Sequence, residues 1–531
     1  MAAATRAPRR RDDRCIENQQ PALRALPLGV KQKGILATCN YVARRHGIKK
    51  LMPIAEAKKL CPSLVLADGE NLSPFRDVSK RLYALLRSYS WNGRVERLGL
   101  DEVFLDVTDV VSYNVELLNR NALAESFFCL SRSNPEPGFP YDATSFAGCV
   151  WGADDEPDPG AHTLRMRLLV ASHLAHHLRM KVEAEGYTTA CGISTNKLLA
   201  KLVGDKNKPQ NQTTLLALTQ PALLAFLDPH PLRKIPGIGT KTAALLESSL
   251  LNTSLPDLPD PLTSGALRAA PTTSPASLTA LLSTPGADKS LPSRIWALLH
   301  GADPSPVKPA RELPAQISIE DSYGRAGLAG REWVYRALEG IVVSLLGRVG
   351  VDLWDGESGR WRGWPRTVRV AVVAGRWKRV SRSCALPGWV LHEIAAAEAA
   401  KRLVRETVGP LFERLIPVSV LNVCVTNMVG GEADGSGMGD IGEMFRRRGV
   451  VERSIAVTEM SDNGDVEGEW QEEEDGASDT WDDYPAGGDD AVDADGKSGG
   501  SRKCLRCDRL IPGFAALAHE RYHALELEED R

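Results

Sequence analysis

A chain of 531 residues is long enough for three to four domains of about 150 residues each, which excludes a small scaffold held together by disulfides alone. Its composition, 43% hydrophobic and 25% charged, is that of an ordinary soluble protein, and no apolar run approaches the roughly 18 residues that a membrane helix needs. The net charge of −3 averages unlike parts: residues 461–495 hold fifteen Asp+Glu and no Lys or Arg, so the other 496 residues carry +12. A basic body with an acidic tail predicts a polyanionic partner, because neutralised phosphates dominate nucleic-acid affinity.

In chain order, Thr5 to Arg11 is Arg-rich and runs into Asp12 and Asp13, a pattern that reads as a disordered start with no hydrophobic strand between Met1 and Arg14. Cys15, Cys39, Cys61, Cys129, Cys149, Cys191, Cys384 and Cys424 stand singly among apolar neighbours and predict reduced, buried thiols of an intracellular protein. From Gly34 to Asp109 compact apolar runs alternate with turn residues, as in an α/β domain. Asn134 to Gly160 is rich in Pro, Gly and Asp and reads as loop. Leu168, Ala171, Leu174, Leu178 and Val182 recur at helical spacing within Leu164 to Glu185. Pro236 to Leu246 reads as a turn entering a helix, and the Pro, Ser, Thr and Ala of Asn252 to Pro292 as a surface insertion. After Gln316 a second unit of β-α-β-α-β order is predicted, with strands at Ile317–Ile319, Thr367–Val373 and Val418–Thr426, helices at Trp333–Leu346 and Leu391–Arg405, and room for a further strand near Val380. Met428 to Lys503 turns to Gly, Asp and Glu and predicts disorder, with a finger-like unit closing the chain.

The densest chemistry lies in Glu96 to Thr108, where two strand-like runs flank Gly99, Asp101 and Glu102. Adjacent strand residues face opposite ways, so Asp101 and Glu102 could share one ion only at a hairpin turn or bulge, which Gly99 permits. Mg²⁺ that bridges phosphates is held by one or two carboxylates plus substrate oxygens. Tyr41 and Arg44, three apart, with Lys50 beyond, can grip a triphosphate. Gly192 to Lys201 leads into Asn207-Lys208-Pro209, placing cations on a helix start and the following loop. Gly237 and Gly239, followed by Lys241, let backbone N–H groups approach a phosphate at a helix N-terminus. Each segment has an ordinary structural reading when taken alone.

Taken in order, Tyr41 to Arg44, Leu100 to Thr108, Gly192 to Pro209 and Ile235 to Thr242 resemble the Y-family translesion DNA polymerases, over about Glu17 to Thr426. The resemblance implies a multidomain α/β and α+β right hand: palm and fingers over 17–230, a helix-hairpin-helix thumb with a Pro/Ser-rich insertion over 231–310, and a little finger over 315–428. It implies Mg²⁺ or Mn²⁺ on Asp101 and Glu102, and the incoming dNTP on Tyr41, Arg44, Lys50 and Lys208 with Gln32 near the nascent pair. Primer–template DNA would lie on Gly237, Gly239 and Lys241 and on the acid-free stretch Trp361 to Val390, with Arg369, Arg376 and Lys378. One departure stands out. The family's first strand carries a third metal Asp, which aligns here with Ala7, so residues 1–16 read as an atypical start with that strand missing. This predicts either that the segment bearing the Asp is missing from the sequence, or that the chain is a catalytically inactive DNA- and ubiquitin-binding adaptor.

Cys504, Cys507, His519 and His523 have the spacing of a tetrahedral Zn²⁺ site. With few cations on the helix after Pro512, the finger over 501–531 resembles the ubiquitin-binding type, although Arg521 replaces its usual Asp. Ile441, Met444 and Phe445, ahead of three arginines within the acidic linker 429–500, loosely resemble a clamp-binding peptide. The expectation is a nuclear, error-prone translesion polymerase, monomeric and off the membrane, recruited by ubiquitin or a ubiquitinated sliding clamp.

Overall fold

The computed structural model describes residues 2–6, 11–152, 159–208, 210–251, 261–283, 288–323, 327–356, 358–374, 378–391, 397–411, 417–430, 502–503 and 510–511. They fall in two compact units, Met1–Thr480 and Trp481–Arg531. No described helix is long and apolar enough to cross a membrane.

The first unit opens with strand β1 (Ala2–Arg6) and helix α1 (Arg11–Gln19). A small sheet follows from β2 (Leu28–Gln32), β3 (Ile35–Cys39) and β4 (Val65–Asp68), in the order β3-β2-β4, with α2 (Tyr41–Arg45) and α3 (Ile54–Leu60) between β3 and β4. Helix α4 (Ser73–Arg87) leads to the hairpin of β5 (Val95–Arg97) and β6 (Glu102–Asp106), then to α5 (Thr108–Glu116). Strands β7 (Ser126–Cys129) and β8 (Gly138–Tyr141) pair with each other. Next come β9 (Cys149–Trp151), the long helix α6 (Pro159–Ala184), β10 (Ala190–Ser194), α7 (Lys197–Val203) and β11 (Gln212–Leu215). A six-stranded sheet of order β5-β6-β1-β10-β11-β9 results.

Period-two alternation decides what each face of that sheet does. Val103 and Leu105 of β6 enter the main core, while Phe104 packs on the other side against Ala200 and Val307. The predicted stripe on α6, Leu168 through Val182, is at most 2% exposed and forms the centre of the main core.

Three expectations are corrected here. Residues 1–14 do contain a strand: β1 lies antiparallel between β6 and β10 and pairs with both. Its Ala-Ala-Ala-Thr sequence has little strand propensity, but two flanking strands each supply a ladder of donors and acceptors that it satisfies. The Asn134 to Gly160 stretch contains β8 and β9, the latter a parallel edge on β11. Asn252 to Pro292 is not a surface insertion throughout. Within the helical region of α8 (Gln220–Leu227), α9 (Thr240–Leu251), α10 (Ser264–Ala269), α11 (Pro275–Leu282) and α12 (Leu291–Leu299), the side chains of Leu262, Leu267, Leu278 and Leu282 are buried. The Ser and Thr that read as loop are caps: Thr263 accepts from Ala266 N–H, and Ser274 and Ser277 form a capping box with Pro275 in the first turn.

The later α+β region follows the predicted order. Strand β12 (Gln316–Ser322) is followed by α13 (Arg331–Leu353), the short pair β13 (Trp354–Asp355) and β14 (Arg360–Trp361), then β15 (Gly363–Ala374), β16 (Lys378–Ala385), α14 (Ala397–Leu403) and β17 (Val418–Gly430). The four long strands form an antiparallel sheet of order β12-β17-β15-β16. Val368, Val370 and Val372 face its core together with the buried side of α13. Strand β17 continues through Gly430, and Arg502–Lys503 pairs with Leu510–Ile511 in the second unit, so both ends of the span expected to be disordered are strand. The rest of that span, 431–501, lies outside the described residues.

The β7–β8 hairpin packs on α6 through a histidine and aromatic cluster. Phe139 stacks on His177 at 4.2 Å and Tyr141 lies 4.7 Å from His173, whose Nε2 is 2.9 Å from the Ser145 carbonyl. Burial holds both imidazoles below their ordinary value, with His176 and, for His177, Lys181 adding to it. The unfolded chain therefore binds more protons, so this stability is complete above the unfolded value of about 6.5 and is lost as pH falls. Thermal melting should move to lower temperature from pH 7.5 to 5.5, and a His177→Phe variant should show a smaller drop.

Candidate active site

The β5–β6 hairpin supplies the bend that Asp101 and Glu102 require. Arg97 pairs with Val103, Leu98 N–H donates to the Glu102 carbonyl at 2.8 Å, and Gly99 turns the chain at φ +124°, a conformation that glycine adopts without a Cβ penalty. Asp101 sits half-buried in the turn and Glu102, 7% exposed, opens β6. Facing them is α7, whose lysines are four apart and so one helical turn from each other. Lys201 Nζ lies 3.4 Å from Glu102 Oε2, and Lys197 Nζ lies 3.0 Å from Glu96 Oε2. Asp106, the other acid of β6, accepts from the Thr108 N–H and hydroxyl and holds the start of α5.

Strand β1 runs beside this pair with Arg6 in register with Glu102 and Ala4 with Phe104. Its five residues, Ala-Ala-Ala-Thr-Arg, bring no carboxylate, and Ala7 lies outside the described residues. Among the described residues no three His, Cys, Asp or Glu side chains gather as a metal cage. The donor set still fits one hard cation of the kind held by two carboxylates and substrate phosphates. A lysine ammonium beside Glu102 shows that this carboxylate sits where positive charge is accommodated.

The second group of residues is set by Asn40. Its Oδ1 accepts from Leu28 N–H at 3.1 Å and from Ala43 N–H at 2.9 Å, capping α2, while Nδ2 donates to Glu17 Oε1 and to the Leu26 carbonyl, both at 2.9 Å. All four of its hydrogen-bonding positions are used at 3% exposure. This cap fixes the helix that carries Tyr41, 38% exposed, and Arg44, whose Nε donates to the Cys39 carbonyl at 3.3 Å. Lys50 is exposed just beyond. Gln32, at the end of β2, donates to the Gly69 carbonyl at 2.9 Å.

Other expected residues are more dispersed. Lys208 is exposed and forms an ion pair with Asp205. Gly237 has φ +90° in the turn before α9, with exposed Lys241 in its first turn. Arg369 lies on the sheet face opposite the valines, bonded to Gln316 Oε1 at 3.0 Å and so partly occupied within the sheet. Lys378 opens β16. Arg376, Ile441, Met444, Phe445, Cys504, Cys507, His519 and His523 lie outside the described residues. The roles of Asn40, Lys197 and Lys201 as partners of the site were not drawn from the sequence. An Asn just ahead of a helix and two lysines four apart were the signals available.

A family profile described as impB/mucB/samB matches residues 14–205, so that segment is similar to the Y-family domain. Among relatives, the chain is similar to DNA polymerase iota of Homo sapiens, 32% identical over 421 residues, which cover 77% of this chain and 50% of the relative. DNA polymerase iota of Drosophila melanogaster is 39% identical over 231 residues, 43% of this chain and 28% of that one. DNA polymerase IV of Aeromonas hydrophila is 32% identical over 233 residues, 43% and 49% of the two chains. The chain spans about half the length, or less, of these relatives.

Replacing Asn40 with Ala strands two buried N–H groups and takes a donor from Glu17 Oε1, leaving that carboxylate its Arg14 partner on Oε2. It should cost about 2–4 kcal/mol in a denaturant titration of the full chain.

Proposed function

We propose that this chain is an error-prone translesion DNA polymerase that inserts nucleotides opposite damaged template bases. The observation that carries the reading is the bent β5–β6 hairpin, with Asp101 and Glu102 side by side in a domain of the Y family. The relatives' names, DNA polymerase iota and IV, support it. On this reading residues 17–230 are palm and fingers, 231–310 the thumb and 315–428 the little finger.

Asp101 and Glu102 would hold Mg²⁺ or Mn²⁺, which when bound polarises the phosphoryl oxygens. Lys201 offsets part of the carboxylate charge from the α7 side. Tyr41, Arg44 and Lys50 would bind the triphosphate of the dNTP, and Lys208 would join them by exchanging Asp205 for phosphate. Gln32, braced on Gly69, would border the nascent pair. Gly237, Gly239 and Lys241, with Arg369, Arg376 and Lys378 of the later domain, would follow the DNA backbone. In the second unit Cys504, Cys507, His519 and His523 would hold Zn²⁺ in a ubiquitin-binding finger. Ile441, Met444 and Phe445 would engage a sliding clamp, in a protein working in the nucleus.

Primer extension by the full chain tests this. An Asp101→Ala/Glu102→Ala variant should lose at least about 10³-fold in rate, since charge stabilisation of this kind is worth several kcal/mol. Ala7→Asp, which restores a carboxylate where the family has one, should raise the rate by about tenfold or more. Extension by the parent no faster than by the double variant, under Mg²⁺ and under Mn²⁺, would overturn the reading. Zinc content of the full chain should be one equivalent, lost in a Cys504→Ser/Cys507→Ser variant.

A further inference from the structure

The turn that carries Asp101 is strapped from outside the site. Arg97 Nε donates to the Gly99 carbonyl at 2.8 Å, and Arg97 Nη2 donates to Ser79 Oγ at 2.6 Å. Ser79 Oγ in turn donates to the Leu100 carbonyl at 2.5 Å. Ser79 is 1% exposed in the middle of α4, and the Arg97 guanidinium lies 6.0 Å from the centre of the Tyr83 ring, whose hydroxyl donates to the Val95 carbonyl at 2.9 Å. Two successive carbonyls are thus held from one side, while Leu98 N–H closes the hairpin from the other. Because each peptide unit is planar, holding the Leu100 carbonyl holds the plane that runs to the Asp101 Cα, and so narrows the directions open to the Asp101 side chain.

We propose that Arg97 and Ser79 are positioning residues which aim Asp101 at the divalent cation, through a three-bond strap tying the turn to α4. A turn with φ +124° at Gly99 has little conformational preference of its own, so its geometry is set by these outside bonds. Neither residue is a ligand. They act as the outer partners of a metal site do, restraining the backbone that carries the carboxylate. The inference rests on the polymerase reading for the identity of the cation, but its test does not use polymerisation.

Mn²⁺ binding to the full chain, followed by electron paramagnetic resonance without DNA or nucleotide, is the measurement. Ser79→Ala and Arg97→Lys should each weaken Mn²⁺ by about 10- to 100-fold, the range usual for such outer partners. Ser79→Thr, which keeps the hydroxyl, should stay within about threefold of the parent, and in an Asp101→Ala background the Ser79 change should add nothing. Arg97→Lys keeps the charge and serves if Ser79→Ala fails to fold. Affinities of both strap variants within threefold of the parent, an additive effect with Asp101→Ala, or no Mn²⁺ binding by the parent would overturn the proposal. A parent chain that binds Mn²⁺ in this strap-dependent way but does not extend primers would leave the strap standing and remove the activity.

Discussion

Strand β1 lies antiparallel between β6 and β10 and pairs with both along its whole length. Neighbouring strands lie about 4.8 Å apart, so β1 sets a spacing of roughly 10 Å between the strand that opens with Glu102 and the one that runs into α7. That spacing decides whether Lys197 and Lys201 reach Glu96 and Glu102. Five residues without a carboxylate therefore help to set where the lysines of α7 meet the hairpin, through main-chain hydrogen bonds. The strand lies in contact with both α6 and α7.

The charges around the hairpin are matched in pairs at low exposure. Glu96 with Lys197 and Glu102 with Lys201 bring two acids and two bases onto the α7 side of the sheet. Removing one member of such a pair leaves its partner's charge uncompensated. Further out, Lys33 meets Asp321 at 2.5 Å and Lys80 meets Asp352, linking the first sheets to the later α+β region. Lys33 is exposed and Lys80 partly so, and these links therefore weaken with salt, the Lys33 link more than the other.

What could be read from the sequence followed from how strongly side chains encode the element. Helix α6 and the valines of β15 were legible because their periodicity is also their burial. Strand β1 was not, because its existence depends on unpaired ladders next to it and not on its own residues. Residues 261–283 were misread for a different reason: Ser, Thr and Pro mark loops by composition but mark helix starts when leucines such as Leu267 and Leu278 follow at the right distance. At the site, Asp101 and Glu102 stood out through Gly99. Their supports did not, since Ser79 is about twenty residues away and Lys201 about a hundred, and only the fold brings them together.

The segment joining α12 to β12 is fastened along most of its length. Asn196 donates to the Gly301 carbonyl, Asp303 accepts from Leu198 N–H, Glu96 accepts from Lys308 N–H, and Ala310 N–H donates to the Gly93 carbonyl. Between the last of these bonds and Gln316 only residues 311–315 remain, a span of at most about 17 Å when fully extended. Any repositioning of the α+β region is therefore that of a load on a short leash with its fixed end at Gly93, on the approach to the carboxylate hairpin. Such a region can move no farther than that leash and the Lys33–Asp321 and Lys80–Asp352 links allow, so its effective concentration near the hairpin stays high.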